Sequence, residues 1–179
     1  VVLVRRGGLE LGGGVGWNYD PPVGDQPGSP RNSGALSFKA IVGIGNAPSG
    51  EVFAGRLTMV LTDEYFTLNG KLWLLKQEEN MFGEGQLTLF WNDRPGMEGF
   101  VRMFVGLPDA EGEVFYFNGK INFKYRDGET YIRSEKIEGA VLKQVKAEAN
   151  LEFTKEKIEA DGKLWYDLNK SFSLLVATA

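Results

Sequence analysis

Apolar and polar residues alternate along most of this chain. Within 117–125, Phe117, Gly119, Ile121, Phe123 and Tyr125 fall on one side, and Asn118, Lys120, Asn122 and Lys124 on the other. A period of two predicts a β-strand with chemically different faces. The same phrase, apolar–any–Gly–polar–Leu/Ile, recurs around Gly55, Gly70, Gly85, Gly119 and Gly162. Each of these glycines lies on the apolar side. A mid-strand glycine is unfavourable unless the sheet bends there or a bulky neighbour lies over the gap. All five are therefore read as packing or curvature positions.

Taken in order, the pattern predicts strand, turn, strand from Ala35 onward. Turns are marked at 45–50, 62–64, 77–80, 92–96, 107–112 and Arg126-Asp127-Gly128, where Asp-Gly suits a type I′ hairpin. Residues 134–152 fit either an amphipathic helix or strands. Gly139 and the alternation of Ala147, Ala149, Leu151 and Phe153 with charged neighbours favour strands. Residues 1–19 read as a strand that runs into a flexible Gly12-Gly13-Gly14 segment. Residues 20–34, rich in Pro, Gly and Ser, read as a linker or long loop. Val42-Gly43 followed by Gly50-Glu51-Val52-Phe53 matches Val105-Gly106 followed by Gly112-Glu113-Val114-Phe115, which suggests tandem units at about 37–99 and 100–162. The expected fold is all-β: an antiparallel meander of about ten strands in a 35–179 domain, curled into a sandwich, clamshell or barrel. In a water-soluble protein the apolar face must be covered, because so many strands would otherwise expose too large a patch.

Composition removes several chemistries. The chain has neither Cys nor His, so disulfides, thiolate sites, imidazole ligands and a Ser-His-Asp triad are excluded. Its net charge of −4, with cations scattered among carboxylates, argues against nucleic acid as a partner. No run reaches the ~18 apolar residues of a membrane helix, and membrane association is not expected. The chain lacks an initiator Met and reads as a processed protein or a piece of a longer one.

Candidate motifs are weak. Gly43-Ile44-Gly45 precedes Pro48 and no helix, and the Gly12–Gly14 run lacks the Lys-Ser/Thr of a phosphate loop. Asp109, Glu111 and Glu113 lack the glycine and distal Glu of a calcium loop. Glu78-Glu79 and Asp63-Glu64 fall at turns and read as solvated charge, not paired catalytic carboxylates. Trp91 reads as core. Trp73 and Trp165 each follow Gly-Lys-Leu and fall on the polar side, with Leu75 beside Trp73; these three are the interface or ligand candidates. The expected function is a non-enzymatic structural or interaction module within a larger assembly, with a protein partner or self-assembly and no cofactor or metal. An apolar-ligand or lipid carrier is the alternative, followed by an outer-membrane barrel with its apolar face outward and then a carbohydrate-active enzyme.

Overall fold

The computed structural model describes residues 2–6, 8–20, 28–30, 35–45, 53–74, 81–109 and 112–166. Fourteen strands make up almost all of it, and no helix occurs among the described residues. They are β1 (Val2–Arg6), β2 (Leu9–Trp17), β3 (Tyr19–Asp20), β4 (Ser29–Pro30), β5 (Leu36–Gly45), β6 (Phe53–Leu61) and β7 (Tyr65–Leu74). Then follow β8 (Met81–Phe90), β9 (Gly96–Asp109), β10 (Gly112–Arg126), β11 (Glu129–Ser134), β12 (Ile137–Val141), β13 (Val145–Thr154) and β14 (Ile158–Tyr166).

Twelve of the strands form one antiparallel sheet in which neighbours in sequence are neighbours in space, apart from the small β3–β4 ribbon between β2 and β5. β11 and β12 occupy a single row. Both pair with β10 on one side and with β13 on the other. The all-β meander expected from the alternation is therefore what the chain forms. Residues 134–152 supply the end of β11, all of β12 and most of β13, so strands win over the helical alternative. Gly12, Gly13 and Gly14 lie inside β2 and pair with Ile41, Ala40 and Lys39, which corrects their reading as a flexible segment. Paired backbone on β5 fixes them where composition alone suggested freedom. Residues 2–17 belong to the same sheet as the rest of the chain.

Local chemistry sets the turns. Asp127 and Gly128 both have positive φ, 55° and 79°, as a type I′ hairpin requires. Thr62 Oγ1 accepts hydrogen bonds from the N–H groups of Glu64 and Tyr65 at 3.1 and 3.0 Å. Thr154 Oγ1 does the same for Glu156 and Lys157 at the β13–β14 turn. These contacts occupy backbone donors that leave the ladder at a bend.

Among the described residues there is one layer. No second sheet packs face to face on the first, and β1 and β14 are not hydrogen-bonded to each other. Among the described residues the one fully buried large side chain is Val60, and it lies on the polar side of β6, facing Lys39 and Thr67. The other deeply buried strand side chains include Ser37, Thr67 and Thr88, also on that side. No second layer covers the apolar face among the described residues. Leu, Val, Ile and Phe side chains stand out from the sheet, while small polar ones are buried between long charged neighbours.

Candidate functional site

Cross-strand pairing places every strand residue on one of two faces, because directly opposed residues share a side. The first face is apolar throughout. One layer runs Val42, Leu57, Gly70, Gly85, Val101, Ile121; the next runs Ile44, Gly55, Leu72, Gly83, Met103, Gly119. Between β2 and β14 the described positions on this face carry no Asp, Glu, Lys or Arg, except at the irregular β9–β10 end, where the register puts Asp109 and Glu113 on opposite sides. Its side chains are open: Val101 is 59% exposed and Trp17 65%.

Aromatic residues on this face keep to its two margins. Phe38, Phe66, Phe123, Tyr125 and Phe153 lie towards one end of the strands, with Trp17 beyond them. Phe53, Phe115, Phe117 and Tyr166 lie towards the other. The two central layers hold none. There the glycines Gly55, Gly70, Gly83 and Gly85 floor an open apolar groove of ≈ 530 Å3 walled by Val42, Leu57, Leu72 and Met103. Gly55, Gly70, Gly85, Gly119 and Gly162 thus sit on the apolar side, as the alternation places them. That side is open.

The opposite face carries the charge. One row at mid-height reads Glu10, Gly43, Arg56, Lys71, Glu84, Arg102, Lys120 across successive strands. Gly43 leaves the space through which Arg56 reaches Glu10 at 3.0 Å; a Cβ there would come within 2.9 Å of the Glu10 Cβ. Arg102 meets Glu84 at 3.4 Å and Lys120 meets Glu135 at 2.6 Å. The Thr67 and Thr88 hydroxyls join at 3.0 Å. Rings are laid between the ions: Phe82 stacks on Phe104 at 5.5 Å, and Lys71 and Arg102 lie 5.0 and 5.2 Å from the Phe82 centroid. The Glu10 side chain is only 15% exposed and that of Arg126 16%, less than most of the large apolar residues opposite.

A β-bulge shapes the middle of this face. Asn118 pairs with Glu138 and Ile121 with Ser134, so two residues of β10 oppose three of the β11–β12 row. The extra residue turns Glu135 and Lys136 together onto the polar side while Ser134 and Ile137 stay on the apolar side. Glu135 bonds Lys120, and Lys136 bridges Glu138 and Glu148 at 3.1 and 2.6 Å. The Ser134 hydroxyl accepts the Leu151 N–H at 2.7 Å. Beside the bulge is a polar cleft of ≈ 300 Å3 lined by Glu84, Phe100, Arg102, Asn118, Lys120 and Glu135, with Lys136 at its rim. The sequence shows the charges but not the bulge, since the run Ser134-Glu135-Lys136-Ile137 reads as a break in alternation.

Trp73 and Trp165 lie on the polar face and are half-buried. They are not brought together: β7 and β14 are six rows apart. Leu75 lies outside the described residues, as do Glu78, Glu79 and Glu111. Trp91 is corrected from core to surface. It sits in the β8–β9 turn, 46% exposed, and its Nε1 donates to the Asp63 carbonyl at 2.7 Å. At the β13–β14 turn, hydrogen bonds to Glu152 and then Glu159 hold the Lys157 ammonium above the ordinary lysine value. No family model matches the chain, and neither a curated protein nor a solved structure is similar to it.

Proposed function

We propose that this chain forms the wall of a transmembrane β-barrel, its apolar face against lipid and its polar face towards an aqueous interior. One observation carries the reading. Large apolar side chains on one face stand as open as the charged side chains on the other, and Glu10, Lys124 and Arg126 are more covered than most of them, the inverse of a water-facing sheet. In water this inversion leaves a very large apolar patch exposed. In a bilayer it is the favourable arrangement, since lipid-facing positions are apolar and lumen-facing ones polar.

Two further features support it. Aromatic residues at both margins match the interfacial girdles of such walls, where rings sit at headgroup depth. Phe115 and Tyr125 of β10 are ten residues apart, which is ~33 Å along the strand at ~3.3 Å per residue. A tilt of ~40° reduces that to ~25 Å, the height of a lipid-facing band. The proposal keeps the non-enzymatic, assembly-forming character expected from sequence and changes the partner from protein to bilayer.

A second reading is favoured by the glycine-floored groove on the apolar side: a carrier that holds an apolar ligand there. Purification separates the two. A barrel wall stays monodisperse only in detergent or lipid and resists protease when reconstituted in vesicles. A chain that stays monomeric in plain buffer contradicts the proposal. A lipid co-purifying at one per chain from such a sample supports the carrier.

A further inference from the structure

The polar face is electrically uneven. Its described positions on β5–β9 hold Lys39, Arg56, Lys71 and Arg102, and those on β10 hold Lys120, Lys124 and Arg126; against these stand Glu84, Glu98 and, where the register shifts at the β9–β10 end, Glu113 opposite Pro108. The rows from β11 to β14 have the opposite excess; part of it pairs internally, Glu152 with Arg133 and Lys157 and Glu138 and Glu148 with Lys136, and part reaches β10, Glu135 with Lys120 and Glu129 with Lys124. Most cations of the β5–β10 half also meet a carboxylate: Arg56 meets Glu10, Arg102 Glu84, Lys120 Glu135 and Lys124 Glu129.

Within that half, Arg102 and Lys120 are direct cross-strand partners. Like charges directly opposite each other destabilise a sheet unless something compensates. Each is drawn to a carboxylate on its outer side, Arg102 to Glu84 and Lys120 to Glu135, and all four line the ≈ 300 Å3 cleft with Lys136, three cations to two carboxylates. Asn118 adds a side-chain amide to its wall, and the Phe100 ring, 5.2 Å from Lys120 Nζ, offers an apolar surface. A guanidinium and an ammonium about one opening suit an oxyanion, which accepts from both at once.

We infer that this cleft binds the phosphate or carboxylate group of a small anionic solute, seated between Arg102 and Lys120. The site lies on the polar face and is independent of whether the other face meets lipid. Calorimetric titration of inorganic phosphate into the folded chain at low ionic strength tests it. Detergent-solubilised protein serves, so failure to insert in vesicles does not affect the readout. Wild type is expected to bind saturably, and the Arg102→Gln/Lys120→Gln double variant to bind about tenfold or more weakly, the loss of at least one charge-assisted contact. Arg133→Gln, in the acidic half, should bind like wild type. If the double variant does not fold, Lys120→Gln alone carries the comparison, with weaker binding expected. Absence of saturable binding by wild type, or equal binding by the variant that removes the cation pair, overturns the inference.

Discussion

Gly99 and Gly83 both stand on the apolar side, yet their surroundings differ sharply. A Cβ at Gly99 would overlap the Gln86 carbonyl oxygen and lie 2.7 Å from the Phe123 ring. At Gly83 the nearest atom would be 3.9 Å away. Gly99→Ala must shift backbone and is expected to cost about 2–3 kcal/mol, whereas Gly83→Ala should stay within about 0.5 kcal/mol. Chemical denaturation of the two variants under the same conditions checks the difference. Ser134 is a second sensitive position, because its hydroxyl accepts the Leu151 N–H where the bulge interrupts the ladder. Ser134→Ala leaves that donor unpaired and is expected to cost about 1–3 kcal/mol; Ser134→Thr, which keeps the hydroxyl, should recover part of it. The register places the glycines of the repeated phrase on the apolar side, and the phrase was legible in the sequence. Gly99, outside the phrase, was not, because a close carbonyl on the next strand leaves no mark in the alternation.

At the level of elements, strands and hairpins followed from local chemistry. Asp127-Gly128 has the residues its left-handed turn needs. The β12–β13 turn does not: Leu142 and Lys143 hold φ of 52° and 58° without being Gly or Asn. Left-handed conformations of such residues cost roughly 1 kcal/mol each, so nothing in Leu-Lys announced a turn there. Replacing the pair by Asn-Gly, the residues a two-residue left-handed turn favours, is expected to stabilise the chain by about 1 kcal/mol. Thermal or denaturant midpoints would show it; unchanged or lowered stability would mean that the Leu142 and Lys143 side chains contribute more than their backbone strain costs. The neighbouring β13–β14 turn has a different staple. Lys157 is held above the ordinary lysine value by two carboxylates. A raised cation contributes its stabilisation below the unfolded-state value and loses it as pH climbs through the folded one. This contact therefore persists at neutral pH, fails in strong alkali as Lys157 loses its proton, and fails in acid as Glu152, held below the ordinary carboxylate value by the same pair, gains one.

For the molecule as a whole, the alternation fixed two unlike faces but not which one meets water. Period two is symmetric: it separates Leu57 from Arg56 and leaves the solvent unnamed. A second layer would have settled the matter for a soluble fold, and none is present among the described residues. The features on which the lipid-facing proposal rests were in the sequence in dispersed form. Charge is missing from one side of strand after strand, and aromatics on that side keep to the strand ends. Trp73 and Trp165 drew attention because tryptophan is conspicuous, yet the candidate anion cleft is built from Arg102 and Lys120, whose pairing needs the register. Val101 lies in the central apolar layer and is 59% exposed. In water Val101→Arg would be nearly neutral. Against lipid it should cost about 2–4 kcal/mol at mid-depth, read by unfolding from vesicles.

The most direct test of lipid contact uses the absence of cysteine from the chain. Single cysteines replace Val101 on the apolar face or Lys124 on the polar face, each carries a nitroxide label, and the protein is reconstituted in vesicles. Collision with oxygen, which concentrates in the bilayer, is compared with collision with a water-soluble nickel chelate. The account predicts a label at position 101 that is quenched by oxygen and shielded from nickel, and the reverse at position 124. A label at position 101 that meets nickel as freely as one at position 124 would contradict it.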